Sequence, residues 1–118
     1  MGKPLVSGEI VFADRPELPG GAIAYVRLLD TSAADALASE VGEQVLKEIA
    51  GRANRGQAIP FAIEGELRGE QASYTISVHV DLDGDGQISQ GDYINMQSYP
   101  VLTYGFPNHV SVEVKRIN

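Results

Sequence analysis

Residues 74–80 read Tyr74-Thr75-Ile76-Ser77-Val78-His79-Val80, and apolar side chains occupy every second position of this run. Successive side chains of a β-strand point to opposite faces, so the run presents one apolar face to a core and one polar face outward. Near the end of the chain, Val110, Val112 and Val114 alternate with polar residues in the same way. Both runs therefore predict half-buried β-strands.

Further extended runs cover Leu5–Phe12, Ala22–Leu29 and Ala58–Ile63, and 13 Gly and 6 Pro punctuate the segments between runs. Pro60 cannot donate a ladder hydrogen bond, which predicts that its strand lies at a sheet edge or begins at this residue. The chain has 118 residues, of which 43% are hydrophobic, and this length and apolar content are enough for one hydrophobic core. We predict a single domain over residues 1–118 that is mainly β, an antiparallel β-sandwich of about seven or eight strands.

The segment between the second and third runs predicts a helix instead. Ser32 with Asp35 makes a capping box, and an apolar residue recurs every four positions at Leu37, Val41, Val45 and Ile49. The periodicity predicts a helix from Ala33 to about Ile49, although Gly42 weakens it by roughly 1 kcal/mol relative to alanine. The following residues, Gly51–Gly56, predict a flexible loop.

The twelve residues that follow Val80, Asp81–Asp92, read DLDGDGQISQGD and match a calcium-binding loop position by position. Gly86 stands where the backbone must turn sharply, and Ile88 stands where an apolar side chain fastens the loop to the protein. Ca²⁺ takes oxygen ligands, and only a tightly curled chain supplies enough of them from one segment. The predicted ligands are Asp81, Asp83, Asp85, the main-chain carbonyl of Gln87, and Asp92.

Charge repulsion is the physical argument for a cation in this loop. Two unit charges 4 Å apart cost about 1 kcal/mol even in bulk water, and a bound Ca²⁺ removes that cost. The competing interpretation is a plain Asp-Gly hairpin turn. A strand enters the loop, whereas an EF-hand loop follows a helix, so the predicted calcium site is structural and not half of a sensor.

Composition excludes several functional classes. Nine Lys+Arg against 16 Asp+Glu give a net charge of -7, the wrong sign for nucleic acid. With no Cys there is no thiolate nucleophile, disulfide or Cys-ligated zinc. No apolar run is long enough to span a membrane, and Met1-Gly2-Lys3-Pro4 lacks the apolar core of a signal peptide. We expect no direct membrane insertion by this chain, and the compartment stays open because a targeting segment could have been removed.

Candidates for catalysis are weak. His79 is expected to face solvent or to pack on the sheet, and Glu64, Glu66 and Glu70 are expected to form a solvated turn. We therefore predict that the protein is not an enzyme. Aromatic side chains late in the chain are expected to pack in the core, and an exposed binding surface is the alternative; they are Tyr93, Tyr99, Tyr104 and Phe106.

Two stretches carry a family resemblance. Residues 26–36 read VRLLDTSAADA, and residues 57–63 read QAIPFAI. A strand that ends in Leu-x-Asp-x-Ser-x-x-Asp-Ala, followed later by a strand that begins Ile-Pro-Phe, resembles the bacterial envelope lipoprotein family that includes YbaY and the type III secretion lipoprotein chaperones, or pilotins. The resemblance covers about Leu5 to Pro107.

The resemblance implies a β-sandwich without catalysis that binds or accompanies another protein of the cell envelope. It also implies a strand over Val41–Ile49, against the helical period. The leading hypothesis is a noncatalytic calcium-binding module of the periplasm or envelope, and the alternative is a metal-independent chaperone for a protein partner. Membrane anchoring does not carry over, because the chain has no cysteine to bear a lipid.

Overall fold

A computed structural model describes residues 5–31, 39–65, 72–84, 86–97, 99–102 and 108–117. Within these ranges the chain forms eight strands and one short helix. In chain order they are β1 Val6–Phe12, β2 Ile23–Asp30, β3 Ser39–Leu46, α1 Ala50–Asn54, β4 Ile59–Ile63, β5 Tyr74–Asp81, β6 Tyr93–Asn95, β7 Pro100–Val101 and β8 His109–Arg116. No helix among the described residues is long and apolar enough to cross a membrane.

The strands form one curved sheet in the order β3-β2-β5-β6-β8-β1-β4, with β7 paired to β5 beside β6. The described strand pairs are antiparallel except for β1 with β8, which run parallel with Ser7 opposite His109. The prediction of a mainly β fold with about eight strands is confirmed. The prediction of a two-sheet antiparallel sandwich is wrong, because the sheet is mixed and nearly closes on itself in a barrel-like form.

Every second side chain of these strands points into the interior of the sheet, as the period of two in the sequence predicts. Along β5, Tyr74, Ile76 and Val78 are each at most 1% exposed, as the alternation predicted. Neighbouring strands fill the same interior, which supplies the hydrophobic driving force for folding. These inward residues are Val6 and Ile10 of β1, Ala24, Val26 and Leu28 of β2, Ile59, Phe61 and Ile63 of β4, Val101 of β7, and Val112 and Val114 of β8.

β3 occupies part of the segment for which the apolar period predicted a helix. That prediction is wrong for residues 39–46, and the strand implied by the family resemblance is confirmed over Val41–Leu46. A spacing of four is a multiple of two, so it fits one face of a strand as well as one face of a helix. A register shift between Leu28 and Leu29 of β2 interrupts the pairing opposite Val41. Val45 pairs with Tyr25 on the outer face of the sheet, and it is 41% exposed. Ser32, Asp35 and Leu37 lie outside the described residues.

α1 falls where the sequence predicted a flexible loop, so that prediction is wrong. Ala53 is fully buried under the sheet, and the Asn54 side chain holds the helix to the segment after β1. Asn54 Oδ1 accepts from the backbone N–H of Leu18 at 2.7 Å, and Asn54 Nδ2 donates to the Leu18 carbonyl at 3.0 Å. Tertiary contacts of this kind fix a turn of helix that is too short to be stable alone.

The position of β4 follows the prediction made from Pro60. β4 pairs with β1 and ends the path of strands, so Pro60 lies at a sheet edge. The opposite edge of the path is β3, and the two edges face each other across a seam. Gln44 Oε1 on β3 accepts from the backbone N–H of Ala62 on β4 at 2.7 Å.

Candidate functional site

The acidic loop connects β5 to β6 and is anchored at both ends by the sheet. His79 pairs with Ile94 and Val80 with Tyr93 across the antiparallel pair. At the far end the backbone of Asp92 joins the residue after β8, since its carbonyl accepts from the Ile117 N–H at 2.8 Å. The loop therefore rests on two strands and the last described residues of the chain.

Asp81 is completely buried at the start of the loop. Its Oδ1 accepts from the backbone N–H of Gly84 at 3.2 Å, and its Oδ2 accepts from that of Gly86 at 2.6 Å. Gly84 has φ 73° and Gly86 has φ 80°, a backbone conformation that glycine adopts without a steric penalty. The tight curl predicted at Gly86 is thus present, and the Asp81 carboxylate holds it.

Asp92 is 1% exposed and closes the loop. Its Oδ1 accepts from the Leu82 N–H, and its Oδ2 accepts from the Ser89 N–H, each at 3.1 Å. His79 Nε2 donates to the same Oδ2 at 2.8 Å, because an ionised carboxylate can only accept. The His79 ring stacks on Tyr25 at 5.8 Å between centroids, which fixes the imidazole against the sheet.

The environment of Asp92 favours its charged form. Burial by itself would raise the pKa of this carboxyl. The hydrogen bonds from His79, Leu82 and Ser89 and the charge of His79 outweigh burial, so the pKa lies below its ordinary value of 3.8. Asp92 is therefore a buried carboxylate whose charge is compensated by protein groups.

The predicted calcium ligands are brought together in part. Asp81 and Asp92 lie side by side with His79, and one ligand atom from each falls within 4.8 Å of the other two. Asp83 and Gln87 have exposed side chains, and Asp85 lies outside the described residues. Ile88 is 63% exposed, so the prediction that it fastens the loop to the protein is wrong.

The same contacts weaken the repulsion argument for calcium. Backbone N–H groups and His79 donate hydrogen bonds to the carboxylates of Asp81 and Asp92, so repulsion between these two groups is no longer an argument for a cation. The trio of one imidazole and two carboxylates suits a transition metal better than Ca²⁺, which prefers oxygen ligands. These residues could hold a divalent metal, and their geometry does not favour calcium in particular.

Sequence reasoning missed the partnership between His79 and Asp92. His79 and Asp81 are two residues apart on one strand, and a period of two puts them on the same face, so that half of the cluster was visible in the sequence. Asp92 joins them only through the fold of the loop. Of the two expectations for His79, packing on the sheet is confirmed, with 4% exposure.

The late aromatic residues pack, as expected, where the structure describes them. Tyr93 meets Phe12 edge to face at 5.2 Å between ring centroids, and both rings lie against the core. The Tyr99 hydroxyl accepts from the Glu113 N–H at 2.8 Å, which ties the segment at β7 to β8. Tyr104 and Phe106 lie outside the described residues.

Comparison with solved structures supports the fold. The structure of an alternative pilotin from the type II secretion system of Vibrio cholerae superimposes with a TM-score of 0.75, and the match covers 96% of each chain. Sequence identity is 23%, so this similarity bears on the fold alone. None of the curated proteins compared with the chain matches it.

The family comparison covers nearly the whole chain. Residues 1–114 match the model of the type III secretion system lipoprotein chaperone family (YscW), a span that includes the first seven strands and most of β8. This confirms the family resemblance carried by residues 26–36 and 57–63. The chain belongs to the type III secretion system lipoprotein chaperone (YscW) family, a noncatalytic family.

Proposed function

We propose that this protein is an accessory chaperone of the bacterial cell envelope that binds a protein subunit of a secretion apparatus. The observation that carries the proposal is the family match over residues 1–114. The fold shared with a pilotin of a type II secretion system supports it. The chaperone, which is the alternative hypothesis from the sequence, is therefore better supported than the calcium-binding module.

Photocrosslinking in the native host tests the proposal. A photoreactive amino acid replaces the exposed residues Val45 and Met96, which are 41% and 55% exposed, in separate variants. Irradiation should link the protein to one subunit of the secretion apparatus in the envelope fraction. Deleting the gene should lower the assembled amount of that subunit, and the wild-type gene should restore it. An unchanged apparatus and unimpaired secretion in the deletion strain would contradict the proposal.

A divalent cation in the loop Asp81–Asp92 is the second candidate function. In the calcium form of this proposal the ligands are Asp81, Asp83, Asp85, the Gln87 carbonyl and Asp92. The curled backbone at Gly84 and Gly86 supports that form. In the other form a transition metal binds His79, Asp81 and Asp92, whose ligand atoms lie within 4.8 Å of one another.

Two variants separate these forms in thermal-melting and NMR titrations with Ca²⁺, Mn²⁺ and Zn²⁺. Asp83→Ala should abolish a calcium response and leave binding to the imidazole-containing trio intact. His79→Ala should do the opposite. If millimolar concentrations of all three ions neither shift loop resonances nor raise the melting temperature, the metal proposal is wrong, while the chaperone proposal is untouched.

A further inference from the structure

Positive charge collects around α1, although the chain as a whole carries a net charge of -7. Arg15 comes from the segment after β1, and Arg52 and Arg55 come from α1 and the residue after it. Within the described ranges, Arg52 and Arg55 form no ion pair with a carboxylate. Unpaired arginines on an acidic protein mark a place where an external anion is favoured.

A cavity of about 400 Å³ opens between Arg15 and Arg55. Val11, Phe12 and Ala58 give it an apolar wall, and Ala53 of α1 gives it a buried floor. All of its lining residues are described, and they include both arginines and no Asp or Glu. We call this cavity the α1 groove.

Two further cavities share lining residues with the α1 groove. Arg15 and Pro16 also line a cavity of about 550 Å³, and Arg55 also lines one of about 450 Å³, beside Lys47 and Arg52. Glu17 and Glu48 are the acidic residues among their linings, so basic residues outnumber acidic ones around the three cavities. Basic residues spread over three cavities suit an extended segment better than a compact ligand.

The groove is also held in place without a ligand. Arg15 Nε donates to the Asn54 carbonyl at 2.8 Å, and the Asn54 side chain is bonded twice to Leu18. Arg15 can still offer its terminal guanidinium N–H groups, which match a carboxylate in a planar fork. Preorganised donors lower the entropy cost of binding.

We infer that the α1 groove binds an acidic peptide segment of the protein partner, with carboxylates on Arg15 and Arg55 and an apolar side chain against Val11, Phe12 and Ala58. The inference rests on the proposed function, because it names the part of the chaperone that the partner contacts. The concave shape and the apolar wall of the α1 groove favour a peptide over a flat anionic membrane surface. Exposed basic side chains alone would be enough to bind such a surface.

NMR titration of the folded protein with three short synthetic peptides tests the inference. The peptides alternate Asp with Leu, Lys with Leu, and Asp with Ser. The Asp-Leu peptide should shift the amides of Val11, Gly56 and Ala58 saturably. The Lys-Leu peptide should not shift them, and the Asp-Ser peptide should bind more weakly because it lacks apolar anchors.

Charge-reversal variants give the matched control. Arg55→Glu should weaken binding of the Asp-Leu peptide by about tenfold or more, as expected for loss of a charge-assisted hydrogen bond. Lys115→Glu makes the same change in net charge at an exposed position of β8 outside the groove, and it should leave affinity within about twofold of wild type. The amide spectrum of each variant verifies its fold.

Three outcomes would overturn the inference. They are no shift at millimolar Asp-Leu peptide, an equal loss of affinity in Arg55→Glu and Lys115→Glu, and binding to phosphatidylglycerol vesicles without binding to the peptide. If the photocrosslinked subunit is captured equally well by the Arg55→Glu variant, the groove inference fails while the chaperone function stands. If no subunit is captured from any position while the peptide still binds the groove, the proposed function fails and groove binding stands.

Discussion

Asp92 and His79 form a buried hydrogen-bonded pair. Moving a carboxylate out of water is costly, and only good geometry with added hydrogen bonds offsets that cost. Asp92 has both, since the Leu82 and Ser89 N–H groups and His79 all donate to it. The pair therefore fixes where the loop closes on the sheet.

Acid should weaken this closure. The pKa of folded Asp92 lies below 3.8, and in the unfolded chain it returns to that value, so folding is favoured above pH 3.8 and the gain is lost as pH falls through the folded pKa. Asp92→Asn should lower the free energy of unfolding at pH 7 by about 1–3 kcal/mol and flatten its fall between pH 5 and 2. Urea unfolding across this pH range measures the free energy of unfolding. Asp14→Asn, at an exposed position, is the control. An equally steep fall in Asp92→Asn would contradict the prediction.

Gly8 allows the backbone of β1 to lie close to that of β8. A Cβ added there would overlap the Val110 carbonyl oxygen and come within 2.9 Å of the Phe61 ring. Gly8→Ala should therefore cost about 1–3 kcal/mol or more in urea unfolding, because backbone must move to admit it. Gly20→Ala is the control, since its Cβ would meet no atom within 4 Å. Equal stability of the two variants would show that the parallel pair tolerates separation.

At the scale of elements, the seam between β3 and β4 differs from the other strand contacts. β3 and β4 are the two ends of the strand path, and a side chain of Gln44 takes the place of a backbone partner for Ala62. Gly42 allows the close approach, since a Cβ there would lie 2.7 Å from the Glu64 carbonyl oxygen. The nearly closed sheet is therefore held by fewer hydrogen bonds at the seam than along its strand pairs.

Hydrogen exchange should detect this weakness. Gln44→Ala removes the acceptor of the Ala62 amide and should cost about 1 kcal/mol locally, which accelerates exchange of that amide by about fivefold. The Leu5 amide, which donates to Ile63 at 2.9 Å on the other edge of β4, should keep its rate. Equal acceleration at both amides would indicate global destabilisation instead of opening at the seam.

At the scale of the whole molecule, the first and last of the described strands, β1 and β8, are neighbours in the sheet. β1 and β8 pair in parallel, and the side chains of Ser7 and His109 are hydrogen-bonded across a sequence separation of 102 residues. Loop-closure entropy opposes such contacts until most of the chain is ordered. We therefore expect the β1–β8 pairing to form late in folding.

Folding kinetics should reflect that topology. We expect refolding on the millisecond-to-second timescale of β proteins with non-local pairing. Stopped-flow fluorescence of the tyrosines after urea dilution measures the rate. Relaxation within microseconds would contradict the late formation of the β1–β8 pairing.

Val112→Ala, which truncates a fully buried side chain of β8, should lower the free energy of unfolding by about 1–3 kcal/mol.

The sequence alone determined the strands whose residues alternate cleanly. Hydropathy predicted two of these strands, Tyr74–Val80 and the run at Val110–Val114. An apolar residue at a position indicates burial and a polar residue indicates exposure, so the alternation can be read without knowing the fold. The edge position of β4 followed from a missing N–H at Pro60, which is also a property of one residue. The family, too, was visible in two short stretches. Local patterns settle such features because their physical cause lies within a few neighbouring residues.

Tertiary structure alone decided the remaining features. Val41 and Val45 are spaced equally well for a helix and a strand, and pairing with β2 made the segment a strand. One nearly closed sheet and two stacked sheets require the same alternation, so only the order in which the strands pair distinguishes them. The Asp81–Asp92 loop predicted a cation because its clustered aspartates repel one another. In the structure, His79 and backbone N–H groups donate hydrogen bonds to two of those aspartates, Asp81 and Asp92. Partners distant in sequence decide pairing and charge compensation, and no local pattern encodes them.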